Sequence, residues 1–311
     1  MKNIHEKQIP NRLFLVLAYL AIYVIWGTTY LANLYALKGF GAFQMSGLRF
    51  IAAGCILLVL SPGKQKGWLS LKKLKVLSVS GIFMLVGGSG LVAYSQEFIS
   101  SGYAAVLVAT EPLWFILLDR LNWRRYFSNF YVILGILIGF IGIILFIYYA
   151  PLSHNIGFQE SSINGTIIAL LASVLWVIGA LYAKQNSLSG TTPGFTTAIQ
   201  LFAAGLFAFL LSTIRGEWVG FSFTQVPFSA WSGIVYLIVF GSVISYVAFN
   251  WLITVQPPAL VSTHTYVNPI VAIFIGWLIA GESMNSLQVS ALFLVFSGIM
   301  LAQLKGQRLK F

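Results

Sequence analysis

In the stretch "VLVATEPLWFILL" (106–118) a carboxyl group, Glu111, stands beside Pro112 inside otherwise apolar sequence. A second stretch, "HTYVNPIVAIF" (264–274), repeats the arrangement with an amide, Asn268 preceding Pro269. Each proline withholds an N–H from the carbonyl four residues earlier, that of Val108 or Thr265, so each site joins a polar side chain to a bare carbonyl at a kinked point of a helix. His264 stands one turn before Asn268 on the same face, and histidine is the side chain that relays protons most readily near neutral pH. Arg49, in "LRFIAAG", carries a guanidinium that stays charged and needs an acid, carbonyls or water. Two kinds of role are open to these groups. They can bind solutes and handle protons, or they can be structural: a Glu111–Arg49 pair, and hydrogen-bonded packing for Asn268 and His264. Arg49 reads mainly as structural, with anion or carboxylate binding as its alternative.

The elements that must hold these groups are apolar helices. Of 311 residues 59% are hydrophobic and 8% charged, against about 25% charged in soluble domains. The apolar sequence falls into ten blocks: 13–33, 43–60, 76–96, 102–118, 130–149, 165–183, 195–213, 231–251, 259–280 and 287–304. Each has about the length that crosses a bilayer as a helix. The expected fold is therefore all-α and integral to the membrane, with ten transmembrane helices. Glu111 lies nine residues past Gly102, roughly 13 Å along a helix and near the midplane of a ~30 Å hydrocarbon core. Burying an acid there costs about 2.5–3.5 kcal/mol or more, which marks it as a functional candidate.

The first block is too long for a cleaved signal peptide and lacks a small-residue cleavage site. Cys55, the lone cysteine, sits inside the second block, which excludes a disulfide framework. The net charge of +11 is explained by orientation rather than by nucleic acid. With the N-terminus inside, fifteen of the 18 Lys and Arg fall on the inner side, Lys38 and Arg215 fall outside, and Arg49 lies within a span. That distribution follows the positive-inside rule and predicts a multi-pass protein of the inner (plasma) membrane with both termini cytoplasmic.

The chain also repeats itself. Trp26 and Trp176 occupy similar places in the first and sixth blocks, 150 residues apart, and Pro112 and Pro269 are 157 apart. Five spans are an odd number, so a second copy enters the membrane upside down. The expected organisation is two inverted five-helix repeats, 13–149 and 165–304, joined by "APLSHNIGFQESSIN" (150–164). Such halves typify secondary transporters, whose sites lie near the midplane between them.

"LRFIAAGCILLVL", "SSGYAAVLVATEPLWFILL", "GILIGFIGIILF" and "NPIVAIFIGWLIAGE" resemble the EamA family of the drug/metabolite transporter superfamily. The resemblance covers about 15–305. It implies a permease of two five-helix EamA repeats, often an exporter of amino acids or other small metabolites, with cytoplasmic ends. One departure is plain. The glycine–glutamate pair kept as Gly281–Glu282 is replaced after the fourth span by "NWRR" (122–125), so no role of that acid carries over to the first repeat.

Aromatic residues complete the candidate site. Tyr19, Tyr23, Trp26 and Tyr30 follow helical spacing on the first span. Trp26, Tyr94, Trp176 and Tyr246, with Asn250 one turn after Tyr246, are expected to face one cavity suited to amphipathic or cationic ligands. The alternative is packing, with Trp68, Trp123, Trp218 and Trp231 as interfacial belts. Glu97 reads as a solvated acid. "GGSG" (87–90) lacks the strand and Gly-Lys-Ser/Thr of a phosphate loop and reads as a close helix crossing, as do Gly135, Gly139 and Gly142.

The leading expectation is a secondary transporter working by alternating access on a small-molecule substrate. Proton coupling through Glu111 or His264 and simple facilitated exchange both stay open, as do uptake and export. No cofactor, metal or nucleic-acid partner is expected; the chain is read as a monomer or homodimer in the lipid bilayer. An enzyme would need a catalytic constellation, and the three histidines (His5, His154, His264) and single aspartate, Asp119, are too scattered. A channel would show a ring-forming filter rather than internal two-fold symmetry.

Overall fold

The computed structural model describes residues 12–60, 70–149, 162–186, 192–256, 261 and 263–306. Among them are helices and turns and no strand, as hydrocarbon demands of a chain that must satisfy its own backbone. Ten principal helices run in order: α1 (Arg12–Ala36), α2 (Ala42–Leu60), α3 (Leu71–Ser95), α4 (Ser101–Leu118), α5 (Phe130–Tyr148), α6 (Ile163–Gln185), α7 (Pro193–Ile214), α8 (Phe228–Val255), α9 (His264–Ala280) and α10 (Ser286–Gly306). The first eight are long and apolar enough to cross a membrane. Here the structure differs from the expectation of ten equivalent spans: α9 and the apolar part of α10, Ser286–Ala302, are shorter. Most of the connector at 150–164 lies outside the described residues, as do Trp68, Lys2, Lys7, Lys64, Lys66, Arg308 and Lys310 among the groups used for orientation.

Helix starts follow local chemistry. Ser70, Ser100, Asn129 and Thr192 each accept a backbone N–H of the first turn with their side-chain oxygens, filling a donor the helix leaves open. Gly281 closes α9 in a left-handed conformation (φ 67°) that a Cβ would disfavour.

The helices pack in a consistent set of partnerships. α5 lies along α10 and α2 along α7; α3 packs on α6, α8 on α1, α4 on α6, α9 on α1, and α4 on α9. The first pair approaches most closely. A Cβ on Gly135 would come within 2.5 Å of the Ala302 nitrogen, one on Gly142 within 2.6 Å of the Val295 nitrogen, and one on Gly298 would strike the Gly139 backbone. The small-residue face expected on α5 therefore has a partner, with van der Waals contact replacing the hydrophobic drive that lipid cannot supply.

Four segments depart from α geometry with i→i+5 bonding: Ala21–Ile25 in α1, Ile82–Gly90 in α3, Leu237–Ser245 in α8 and Gly276–Ala280 in α9. Such π segments add a residue per turn and recur at functional sites.

Gly298→Leu should overpack the α5–α10 crossing by about 1–3 kcal/mol and lower the thermal midpoint of the purified protein. Gly90→Ala, whose Cβ would meet nothing closer than 3.4 Å, should leave that midpoint unchanged.

Candidate functional site

Two cavities meet beside the interruption of α4 and the proline-bearing start of α9. The first, of about 90 Å³, is walled by residues of α1, α2, α3, α4, α6, α8 and α9. The second, of about 550 Å³, extends toward the end of the molecule that carries Lys184, Asn186 and Pro193. Glu111, Trp176, His264 and Thr265 line both, so they stand at the neck between them.

The α4 break is complete rather than a kink. Ser101–Val108 and Glu111–Leu118 are separate helical pieces, and Pro112 opens the second, where a missing N–H costs no helical bond. Thr110 mends the gap: its hydroxyl donates to the Leu107 carbonyl (2.7 Å) and accepts from the Trp114 indole N–H (2.9 Å). Glu111 is buried, yet its carboxyl has no hydrogen-bond or ion-pair partner among the described residues. The Glu111–Arg49 ion pair considered from the sequence is not formed, since no Arg49 nitrogen lies within 4.0 Å of a Glu111 oxygen.

Asn268 does different work. With its amide nitrogen turned toward them, it donates to the carbonyls of His264 (3.1 Å), Ile22 (2.9 Å) and Tyr23 (3.0 Å). Two of these belong to the π segment of α1, so Asn268 fastens α9 to α1 beside the cavity, with Pro269 in the same wall. His264 sets its Nδ1 2.8 Å from the Val261 carbonyl. A carbonyl only accepts, so Nδ1 carries hydrogen and Nε2 remains available.

Arg49 bridges two π segments. Its Nε donates to Ser242 Oγ (2.6 Å) and its Nη1 to Ser89 Oγ (3.4 Å). Each serine follows a glycine at the cavity wall, Gly88 in α3 and Gly241 in α8. "GGSG" is thus a close crossing, Gly88 lying against Trp176, and also supplies a ligand for the guanidinium.

The aromatic groups converge in part. Trp26 meets Trp176 edge-on (centroids 6.0 Å apart) and lies 5.2 Å from Phe249 and 5.1 Å from His264. Its indole N–H donates to the Gly241 carbonyl at 3.1 Å. Tyr246 lines the small cavity and Asn250 the large one. Both reach Gln200: the Tyr246 hydroxyl donates to its Oε1 (2.9 Å), while Asn250 donates to Thr197 (2.7 Å) and more distantly to the same Oε1 (3.5 Å).

Tyr94 is not with them. It lines neither cavity; instead the Arg215 guanidinium lies 3.9 Å above its ring. The π segment in α3 turns everything after it away from the face that α-helical counting assigns. The same effect splits the α1 stripe, leaving Tyr19 and Tyr23 outside the cavities that Trp26 and Tyr30 reach.

The end opposite Lys184 is shut by charged groups. Arg215 sits 3.6 Å from Glu97 and 3.2 Å from Glu217, whose carboxylate accepts the Gln44 N–H (2.6 Å) at the start of α2. Glu97 is exposed, as the sequence suggests, and in addition pairs with Arg215. Burial pushes its carboxyl above the ordinary carboxylate range, Arg215 opposes the shift and Glu217 adds to it. Glu282 accepts from Ser101 N–H (2.8 Å), Ser101 Oγ (2.8 Å) and Gly102 N–H (2.9 Å), clasping α9 to the start of α4.

Phe249 and Gln200 escaped the reading of the sequence. The signal for Gln200 was present: "RFIAAG" (49–54) and "QLFAAG" (200–205) place Gln200 where the first half has Arg49. Among the described residues no three His, Cys, Asp or Glu gather as metal ligands.

Comparison with known proteins adds the kinship. The profile described as "EamA-like transporter family" matches residues 13–148 and 163–304. The inner membrane transporter YedA of Escherichia coli is 32% identical over 290 residues, covering 92% of this chain and 90% of that one. The transporter YoaV of Bacillus subtilis is 23% identical over 290 residues, covering 91% and 94%. One crystal structure shares the fold with a TM-score of 0.62 at 17% identity, covering 97% of this chain and 100% of that one.

The two polar–proline sites should respond differently to substitution. Asn268→Ala removes three hydrogen bonds, two of which tie α9 to α1, and should cost about 1–3 kcal/mol, read as a lower thermal midpoint of the purified protein. Glu111→Gln removes an unpartnered acid and should leave the midpoint equal or higher.

Proposed function

The chain belongs to the EamA-like transporter family, and from that premise we propose that it is a secondary transporter that exports small metabolites, amino acids or related amphipathic compounds, by alternating access. The single observation that carries the reading is the pair of cavities meeting at Glu111, Trp176, His264 and Thr265. A small pocket shut at one end and continuous with a vestibule at the other is one of the two states such a carrier needs. The 550 Å³ of the vestibule falls in the range of about 300–1,000 Å³ common to metabolite-sized sites.

The mechanism we propose turns on two inverted halves, 13–149 and 165–304, of five spans each. Its support is the pattern of packing. Replacing each helix by the one five places away turns α3–α6 into α8–α1 and α4–α6 into α9–α1, while α5–α10, α2–α7 and α4–α9 map onto themselves. Rocking one half against the other would part the Glu97–Arg215 and Glu282–Ser101 contacts and close the vestibule. In this reading the chain crosses the inner membrane with both termini in the cytoplasm, and the vestibule faces inward. Glu111 and His264 are the groups placed to couple solute movement to protons; the enzyme and channel readings have no comparable support.

Two measurements test this. Bacteria expressing wild type should accumulate particular small metabolites outside the cell, and Glu111→Gln at equal membrane abundance should abolish the difference. Equal accumulation by both would make Glu111 dispensable for transport, and none by either would refute export. Separately, Ala183→Cys in a Cys55→Ser background should react with an impermeant maleimide in inside-out vesicles and not in intact cells. Labelling only from outside would reverse the orientation.

A further inference from the structure

Two corresponding helix crossings are bonded unequally. In the two-half reading, α6 on α3 is the mate of α1 on α8. Across the α1–α8 crossing run three side-chain hydrogen bonds. The Trp26 indole donates to the Gly241 carbonyl (3.1 Å), Ser245 Oγ donates to the Ala21 carbonyl (3.2 Å), and the hydroxyls of Thr28 and Tyr236 lie 2.6 Å apart. Among the described residues no side-chain hydrogen bond joins α3 to α6. That crossing is glycine against apolar groups: a Cβ on Gly179 would meet Met84 Cγ at 2.7 Å, and one on Gly87 would meet Leu175 Cβ at 3.0 Å.

The inequality falls on equivalent residues. The π segments of α3 and α8 each hold a glycine followed by a serine, Gly88–Ser89 and Gly241–Ser242, 153 residues apart. That offset lies between the 150 of the paired tryptophans and the 157 of the paired prolines. On Gly241–Ser242 the first half has closed. Trp26 holds the glycine carbonyl, Arg49 Nε donates to the serine hydroxyl at 2.6 Å, and a Cβ on Gly241 would lie 3.1 Å from Arg49 Nη2. On Gly88–Ser89 the second half stands ready but unbonded. Trp176 lays its ring against Gly88, Cε3 lying 2.7 Å from where a Cβ would stand, and its indole N–H has no hydrogen-bond partner among the described residues. Gln200, in the place of Arg49, bonds Ser80 (3.1 Å) and Tyr246 (2.9 Å) rather than Ser89.

We infer that Trp26 and Trp176 are exchange partners that set which state the protein occupies. In the state described, Trp26 is docked on Gly241 and Trp176 stands off the Gly88 carbonyl. In the opposite state Trp26 releases Gly241, the Trp176 indole donates to the Gly88 carbonyl, and Arg49 gives up Ser242. The reason is the inverted repeat: rocking one half against the other gives each half the arrangement its mate had, so the bonds of one crossing pass to the corresponding one. Arg49 keeps Ser89 throughout, since both belong to the first half. The two tryptophans are positioning residues in this scheme, acting through the backbone of α8 and α3 rather than on a solute. The inference rests on the alternating-access reading proposed above.

The test uses the full chain in right-side-out membrane vesicles washed free of solute, with orientation read from Ala183→Cys. The reporter is Ala105→Cys in a Cys55→Ser background. Ala105 is 1% exposed and lines the small cavity one turn into α4, behind the Glu282 clasp. An impermeant maleimide added outside reaches it only when that end opens, so the labelling rate follows the population of the opposite state. Trp26→Phe keeps an aromatic ring and removes the donor. It should raise the rate about three- to tenfold, the effect of one net hydrogen bond. Trp176→Phe should lower the rate by a similar factor, and the double variant should return it close to wild type. A merely structural loss would move both single variants the same way and the double variant further. Ser242→Ala should raise the rate as Trp26→Phe does, which keeps the test decisive where a tryptophan variant does not fold. Single tryptophan variants that shift the rate in the same direction overturn the inference. No external labelling of any of these proteins refutes alternating access and the exchange with it, whereas labelling of wild type that none of the variants changes refutes the exchange alone.

Discussion

Hydrocarbon offers no hydrogen bonds, and everything distinctive about this molecule follows from where it nonetheless breaks its helices. The interruption of α4, Pro269 inside α9 and the π segments in α1, α3 and α8 depart from regular α-helical bonding. Several carbonyls of these segments take a hydrogen bond from a side chain. Thr110 takes Leu107, Trp26 takes Gly241, Asn268 takes Ile22 and Tyr23, and Ser245 takes Ala21. Trp26, Gly241 and Asn268 among them stand in the wall of the small cavity. Glu111, without a partner among the described residues, and Arg49, held by two serine hydroxyls, stand in the wall of the same cavity.

Much of this was legible in the amino acids. The all-helical fold follows from composition, because a chain with so few charges must hide its backbone in helices. Glu111 with Pro112 and Asn268 with Pro269 mark the centre, because an acid or an amide beside a proline is costly in lipid unless protein or cavity receives it. What did not follow was the division between them: spacing treats the two sites alike, and only the partners show Asn268 engaged and Glu111 open. Tyr94 and the Tyr19–Tyr23 end of the α1 stripe were misplaced for one shared reason. Counting by 3.6 assumes unbroken α-helix, and π segments carry no mark in sequence that such counting detects. Glu97 reads as solvated and is exposed, but its partner Arg215 lies more than a hundred residues away and only the fold brings them together.

Rigidity is distributed unevenly around the cavity. α5 and α10 touch through glycine at the level of backbone and contribute nothing to the walls of either cavity. They behave as a single strut. Among the helices that do line the cavities, α1, α3, α4, α8 and α9 carry prolines or π segments, where rotation about a few bonds can change a wall without unpacking a core. Stiffness and compliance are therefore assigned to different helices of the same bundle.

Glu282 holds the start of α4 through three hydrogen bonds at one end of the molecule, while the place that corresponds to it at the other end is occupied by the basic "NWRR". Two doors hung on different latches do not stand shut for equal fractions of the time. In a carrier that alternates, the empty protein would rest with the Glu282 end closed, waiting with its pocket toward the Lys184 side. Concentrations on that side would then set how often it is loaded, and the slow step of the empty cycle would be the return to this resting state's opposite. A difference between latches alone would then set which way such a carrier waits.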